Sequence, residues 1–425
     1  MTVNLEKIFN KIGLVFDSEI GIYSHKKMKI PLTVCYDEKT NELVLLDQTK
    51  LPYEIKTWRT NDWKKAGNPG IKGMIVRGSQ AIGCATGYSV LLAAIAFRNA
   101  GKDFMKNMEE ATAFLRSTRP TAYPLIWAIN LTMNAARKAA ENSKNIDIVI
   151  DAIKDAADYV LASDLVMSWF LRQEGMKHIE DGDVIMTHCN GGSLSSSFGG
   201  HALGMIEEAY AEGTDLMVIS KETRPRSQGY KLTVWELNRA GVPIVIVTDN
   251  MITSSFKHFQ VSKIILGVDR VAKDGSVANK IGSLDIAQIA YPYGIPFYYA
   301  TSYSTIDLMT EKGEQIPIEE RKTEEITYYY NLEAEDLRKR GIISGKSLKK
   351  WPPEQVISRE KRPTKGKVLI YNPAFDVTPP KLINLIITDI GAFRPSQIKL
   401  LTEAKIDRMV QSNMAKWGIK SPIIT

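Results

Sequence analysis

The chain has 425 residues, 44% of them hydrophobic and 24% charged, with a formal net charge of +7. That length accommodates two domains with sizeable cores, and the composition is that of a globular protein, not a disordered or fibrous one. The basic residues are interleaved with acidic ones and the densest run, Arg359 to Lys367, is short, so no nucleic-acid partner is expected; the balance suits a phosphorylated small molecule.

The N-terminus carries Asn4, Glu6 and Lys7 among scattered apolar residues and lacks the core of a signal peptide. Three widely spaced cysteines, Cys35, Cys84 and Cys189, make neither a disulfide framework nor a zinc pattern, which points to a reducing, cytoplasmic location. Alternating apolar and polar positions from Ile30 to Leu46, around Asp37-Glu38 and Asn41-Glu42, predict a β-hairpin. From Thr60 to Asn142 the pattern is helical, with Ala-rich stretches at Ala81–Ala96 and Ala122–Ala140. The most apolar segment, Ile82 to Phe97, is short for a membrane span and reads as a buried helix, so no membrane partner is expected. Thr118-Arg119-Pro120-Thr121 reads as a helix start, with proline near the first turn. Residues 1–142 thus form a helical N-terminal domain with a small β-hairpin, followed by connecting helices over 143–183.

From Val184 the rhythm becomes strand, loop, helix. Strands are predicted at Val184–Met186, Leu216–Ile219, Ile244–Val247, Ile264–Gly267 and Phe297–Ala300, with helices at Leu194–Tyr210, Lys231–Ala240 and Ile286–Tyr291. The fold class is therefore α/β: a Rossmann-like parallel sheet over 184–393, preceded by a mainly helical domain with a small antiparallel sheet. In such sheets ligands bind beyond the carboxyl ends of the strands. Residues 324–367, rich in Lys, Arg, Glu and Tyr, read as an insertion, with a short helix pair and a loop on the surface. The tail, 394–425, reads as an amphipathic helix ending near Trp417.

Each predicted strand ends in polar residues: His188-Cys189-Asn190, then Lys221 to Arg226 with Gln228, then Thr248-Asp249-Asn250, then Asp269-Arg270. Loops are polar in any protein, so position has to separate chemistry from chance. Asp269 follows the apolar run Ile264 to Val268, where a partly buried carboxyl would gain a raised pKa and serve as a general acid; the plainer alternative is a turn cap or a partner for Arg270. Cys189 precedes a Gly/Ser-rich loop taken to open a helix, which would stabilise a thiolate; a small buried hydrophobe is the plainer alternative. Arg77-Gly78-Ser79 has the form of a backbone-plus-guanidinium anion site, and Arg119 is placed at a helix start. His188 is read as a partner for a loop carbonyl ahead of a catalytic base. No metal-ligand spacing, GxGxxG or Walker-type string occurs, so neither metal nor cofactor is expected.

Together these strings resemble the methylthioribose-1-phosphate isomerase family. The matching segments are Val76-Arg77-Gly78 with Ala81-Ile82-Gly83, Arg119 to Ala122, Thr187 to Ser193, and Glu222 to Arg226 with Gln228-Gly229. They continue with Thr248 to Met251, Asp269-Arg270, Val277 to Gly282, Ser304 to Asp307, Ile318 to Arg321 and Asn372 to Pro379. The likeness covers roughly residues 20–325 and 368–392. It implies Asp269 as proton donor and Cys189 as its partner at the transition state. It further implies substrate binding by Arg77, Gly78, Ser79, Arg119, Gln228, Asn279 and Lys280, no cofactor, and a homodimer. The implied reaction is the aldose–ketose isomerisation of 5-methylthioribose 1-phosphate in methionine salvage. Cys189 either takes the C2 proton in an enediol-type route or stabilises charge during a hydride shift. Two relatives share the superfamily: isomerases of another sugar phosphate, such as ribose 1,5-bisphosphate or 5-deoxyribose 1-phosphate, and non-catalytic regulatory subunits of a translation-initiation exchange factor. Ser79-Gln80 stands where the family usually has Ala-Pro, and Gly192 where Ala is usual; both are expected in binding loops, bearing on the substrate's 5-substituent.

Overall fold

The strand order reverses once in the central sheet, and that reversal places the site. In the computed structural model, which describes residues 3–120, 122–343, 355–357 and 368–420, the sheet begins at Asp183–Thr187. It grows one way through Leu216–Lys221 to Ile244–Val247, then returns and grows the other way through Lys263–Leu266, Phe297–Thr301 and Leu385–Thr388. These six strands are parallel; Gly391–Phe393 adds an antiparallel edge. Ile185 faces Val218 on one side and Lys263 on the other. Helices cover both faces, so the strands read as apolar runs with Ile185, Ile219, Ile264 and Leu266 fully buried. All five predicted strands lie within this sheet. The last two members were not read from the sequence, because Leu385–Thr388 follows the insertion and has no helix directly before it.

A second sheet lies at the carboxyl ends of those strands, in the order Ile306–Asp307, Arg270–Ala272, Val277–Lys280, Phe375–Thr378. Its middle pair is an antiparallel hairpin that opens directly after Asp269. The predicted hairpin over 30–46 is present as Val34–Asp37 and Glu42–Leu46, joined by Thr57–Thr60; a further hairpin, Leu14–Asp17 with Ile22–His25, was not expected.

The N-terminal helices are Ser79–Ala96, Phe104–Thr118 and Tyr123–Asn142, packed on the 30-residue helix Ile146–Gly175. Ser79–Ala96 is apolar all round and 83% of it is buried, as a helix surrounded by other helices must be. Asn145 starts the long helix by accepting the Asp147 N–H at 2.9 Å.

Three expectations are corrected. Arg119 does not begin a helix; it caps the end of Phe104–Thr118, and the proline in the next helix's first turn is Pro124. The helix expected from Leu194 starts only at Ala202, because Ser193–Ser195 forms a 3-10 turn and the Ser/Gly run to His201 is irregular. In the insertion one helix, Glu324–Lys339, is followed by the parallel pair Gln355–Ile357 and Val368–Ile370; a second helix would fall on residues outside those described. The tail forms Pro395–Ile398 and Glu403–Ala415, burying Ile406, Val410 and Met414 against the long helix. Trp417 meets Trp169 there at 5.5 Å between ring centroids.

Candidate active site

Cys189 and Asp269 leave neighbouring parallel strands at the point where the strand order reverses, the usual site of a ligand crevice in such sheets. The two loops cross closely: a Cβ on Gly191 would lie 3.0 Å from the Gly267 Cα. Both side chains open into one cavity of about 870 Å³. Arg77, Gly78, Ser79, Arg119, Gln228, Asn279 and Lys280 line the same cavity, so the catalytic pair and all seven substrate-binding residues implied by the resemblance are brought together.

Asp269 is exposed to the solvent of the cavity, yet protein crowds densely around it. That crowding pushes its carboxyl above the usual range, against the opposing pull of Lys280, Arg77 and Arg119, while Glu319 pushes it further up. An aspartic acid held in this way keeps its proton at a pH where a free one has lost it.

Cys189 sits in the left-handed region at φ 67°. Its N–H donates to Thr223 Oγ1 at 2.8 Å, its carbonyl accepts from Thr233 Oγ1 at 2.5 Å, and Gln228 Nε2 points at its sulfur from 3.4 Å. No helix begins at Cys189, so the expected helix-terminus stabilisation of the thiolate is absent. The helix terminus that does open on the cavity belongs to Ser79–Ala96, capped by Gly78. Gly78 has φ +92°, and a Cβ there would lie 2.3 Å from the Ser195 Cα, so only glycine fits. His188 is buried and burial lowers its pKa to about 3; Nε2–H donates to the Ile281 carbonyl at 2.9 Å, leaving Nδ1 to face Thr223 Oγ1 at 3.2 Å. Its role is to hold loops, as the sequence reading has it.

Arg77 is the best-anchored cation. Nη2 donates to the Asn190 side chain and, at 3.3 Å, to its carbonyl, and Nε reaches Gln48 Oε1 at 3.3 Å. Asn190 is held in turn by buried Glu236, which accepts its Nδ2 at 3.0 Å and the Ser193 N–H. Arg119 Nη1 and Gln228 Oε1 are buried with no protein partner, a donor and an acceptor aimed where a ligand would meet them. Among the described residues no carboxylate is within ion-pair distance of Arg77, Arg119 or Lys280. Lys280 Nζ instead donates to the Ala374 carbonyl at 3.0 Å, and Asn279 Nδ2 to Ser283 Oγ at 2.9 Å. No group of three His, Cys, Asp or Glu side chains among the described residues is arranged to hold a metal ion.

Residues 75–395 match the initiation factor 2 subunit family. A methylthioribose-1-phosphate isomerase of Petrotoga mobilis is 36% identical over 370 residues, spanning 87% of this chain and 97% of its own. The chain belongs to the methylthioribose-1-phosphate isomerase family. Among solved structures, the 5-methylthioribose 1-phosphate isomerase of Pyrococcus horikoshii OT3 superposes with a TM-score of 0.72 at 30% identity, over 91% of this chain and 98% of that one. The translation initiation factor eIF-2B subunit delta of A. fulgidus gives 0.69 at 32% identity, over 89% and 99%.

In this family member several cavity residues escaped the sequence reading. Asn190 and Gln48, which orient Arg77, are short polar residues with no pattern of their own; Asn190 at least stood beside Cys189. The tail helix contributes Glu403, Ile406 and Asp407 to the cavity wall, beyond the end of the family match. The sequence reads the tail as an amphipathic helix and assigns it no part in the site. Gly192, expected to shape the pocket, turns away from it and packs on Glu236.

Proposed function

We propose that the chain converts 5-methylthioribose 1-phosphate to 5-methylthioribulose 1-phosphate, with Asp269 as the acid and Cys189 as its partner. The observation that carries this is the meeting, in one cavity, of an aspartic acid with a raised pKa, a thiol, and three cations that form no ion pair among the described residues. A sugar 1-phosphate is a locked acetal whose ring cannot open unaided. Protonation of the ring oxygen by Asp269 breaks C1–O4 and leaves C1 electron-poor. The C2 hydrogen then moves to C1 and the 2-hydroxyl loses its proton, giving a ketone at C2 and a CH2–O–phosphate at C1. Oxidation at C2 balances reduction at C1, so the reaction needs no cofactor. Arg77, Arg119, Lys280 and the Gly78-Ser79 helix start are assigned to the phosphate, Gln228 and Asn279 to hydroxyls.

Charge pairing favours a monophosphate. Arg226 and Arg321 also line the cavity, but Glu325 and Glu319 already neutralise them at 2.7–3.0 Å. The second phosphate of ribose 1,5-bisphosphate would have to displace those partners. A second reading, a non-catalytic regulatory subunit, has the likeness to the A. fulgidus eIF-2B subunit delta behind it and predicts a partner chain and no turnover. A homodimer and a cytoplasmic location complete the proposal; light scattering reads the first.

The test is turnover of 5-methylthioribose 1-phosphate, with ribose 1,5-bisphosphate in parallel, by the wild type, Cys189→Ser and Asp269→Asn. Turnover of the first substrate, lost in both variants, is expected. A folded wild type that turns over neither sugar sinks the proposal. Running the reaction in heavy water separates the routes, since only proton transfer through the thiol carries deuterium to C1.

A further inference from the structure

The insertion helix Glu324–Lys339 does not lie idly on the surface. It is fastened at three points to the loop 224–228, which ends at Gln228 beside the Cys189 sulfur. Tyr329 Oη donates to Ser227 Oγ at 2.8 Å, and Ser227 is buried in the left-handed region at φ 55°. Arg224 lies 4.6 Å over the Tyr329 ring and donates from Nη2 to the Ile326 carbonyl at 2.9 Å. Arg226 pairs with Glu325 at 3.0 Å, and the same carboxylate binds Arg321 at 2.7 Å. The residue immediately after this triple attachment is Gln228, whose amide faces the thiol.

We propose that this helix is a latch that positions Gln228 against Cys189, with Tyr329 and Glu325 as its positioning residues. A loop holding one left-handed residue with a side chain is strained and needs outside contacts to stay in place. Asp249, at the end of the strand Ile244–Val247, holds the start of the loop through the Arg224 N–H at 2.6 Å, while the side-chain contacts nearest Gln228 come from the insertion. The latch therefore couples a segment distant in sequence to the orientation of the amide beside the thiol. It rests on the assignment of Cys189 to the reaction, but its test can be read without any substrate.

The experiment is the rate of Cys189 alkylation by iodoacetamide in the full chain, followed by mass spectrometry. Cys35 and Cys84 are buried and serve as internal controls. Tyr329→Phe removes one hydroxyl and leaves the ring over Arg224, so the fold is retained. Losing one hydrogen bond that holds the amide should speed alkylation roughly two- to tenfold and lower kcat by a similar factor. Ser227→Ala should do the same, and the double variant no more than either alone. Tyr330→Phe, one position along on the exposed face, should match the wild type. Glu325→Gln, which keeps the shape but frees Arg226, should also accelerate alkylation. Alkylation at or below the wild-type rate in Tyr329→Phe and Glu325→Gln overturns the latch, whatever their melting temperatures. A wild type inactive on 5-methylthioribose 1-phosphate overturns the substrate assignment alone, since the alkylation arm still reports on the latch.

Discussion

Gly192→Ala introduces the residue type this family usually carries at that position, yet here it should be damaging. A Cβ on residue 192 would lie 2.2 Å from Glu236 Oε1, 2.6 Å from its Cδ and 2.7 Å from Oε2. All three fall well short of ordinary van der Waals contact, so the carboxyl group has to move. A surface glutamate would swing away at little cost. Glu236 is fully buried, and it accepts hydrogen bonds from Asn190 Nδ2 and the Ser193 N–H. Moving it leaves buried polar groups without partners at about 1–3 kcal/mol each, so a loss of about 2–5 kcal/mol is expected. Asn190 is also what orients Arg77, so KM for the sugar phosphate should rise along with the loss of stability. Urea denaturation and steady-state kinetics on Gly192→Ala measure both. The decisive comparison is a cycle with Glu236→Ala, in which the added methyl meets no carboxyl. Adding Gly192→Ala to that background should then cost little beyond the Glu236→Ala change itself. Wild-type stability and KM in Gly192→Ala, or strict additivity in the double variant, would refute the reasoning.

Two further predictions concern protonation. Lys280 pulls the Asp269 pKa down and Glu319 pushes it up, so Lys280→Met should move the alkaline limb of kcat/KM to higher pH and Glu319→Gln to lower pH. A limb that stays put in both variants would detach it from Asp269. Asp389 is buried at the foot of the tail helix, accepting from Ser302 Oγ at 2.9 Å and the Tyr303 N–H at 2.8 Å, and burial raises its pKa from 3.8 to about 7. Its contribution to stability is thus present below the unfolded value and lost as pH rises through about 7. Asp389→Asn should therefore gain on the wild type between pH 4 and pH 8, by up to about 4 kcal/mol in denaturation experiments. A difference that does not change with pH would exclude a titrating Asp389.

The sheet was legible because its central strands are buried on both faces and its strands read as short unbroken apolar runs with polar residues directly behind them. Cys189 and Asp269 could be picked out for a related reason: Asp269 is the first polar side chain past such a run, and Cys189 lies three residues past another, before a Gly/Ser-rich loop. Arg77 and Arg119 were visible as residue types, but their geometry was not. Pro120 suggested a helix start where the chain in fact makes a turn between helices, and the proline that does start a helix is Pro124. The Gly/Ser run after Cys189 was mistaken for a helix because a later helix supplies the apolar period. Asn190, Gln48, Glu236 and the tail's Ile406 act through contacts between segments far apart in sequence, and no local pattern encodes those. The same holds for Tyr329 on the insertion.

Backbone strain gathers around the thiol. Cys189, Thr223 and Ser227 all adopt left-handed backbones at φ 67°, 64° and 55°. Each costs about 1–2 kcal/mol in a residue with a Cβ, and glycine at any of them would be easier on the chain. Polar contacts hold all three. Thr223 Oγ1 receives the Cys189 N–H, Asp249 receives the Thr223 and Arg224 N–H groups at 3.0 and 2.6 Å, and Tyr329 holds Ser227. At two of these positions the side-chain hydroxyl itself makes the supporting bonds, which explains why glycine would not serve. At Cys189 the side chain supports nothing; the sulfur is only faced by Gln228, and the backbone alone anchors the residue. The strain there is offset by neighbours and leaves a thiol at the cavity wall, where the proposed reaction would use it.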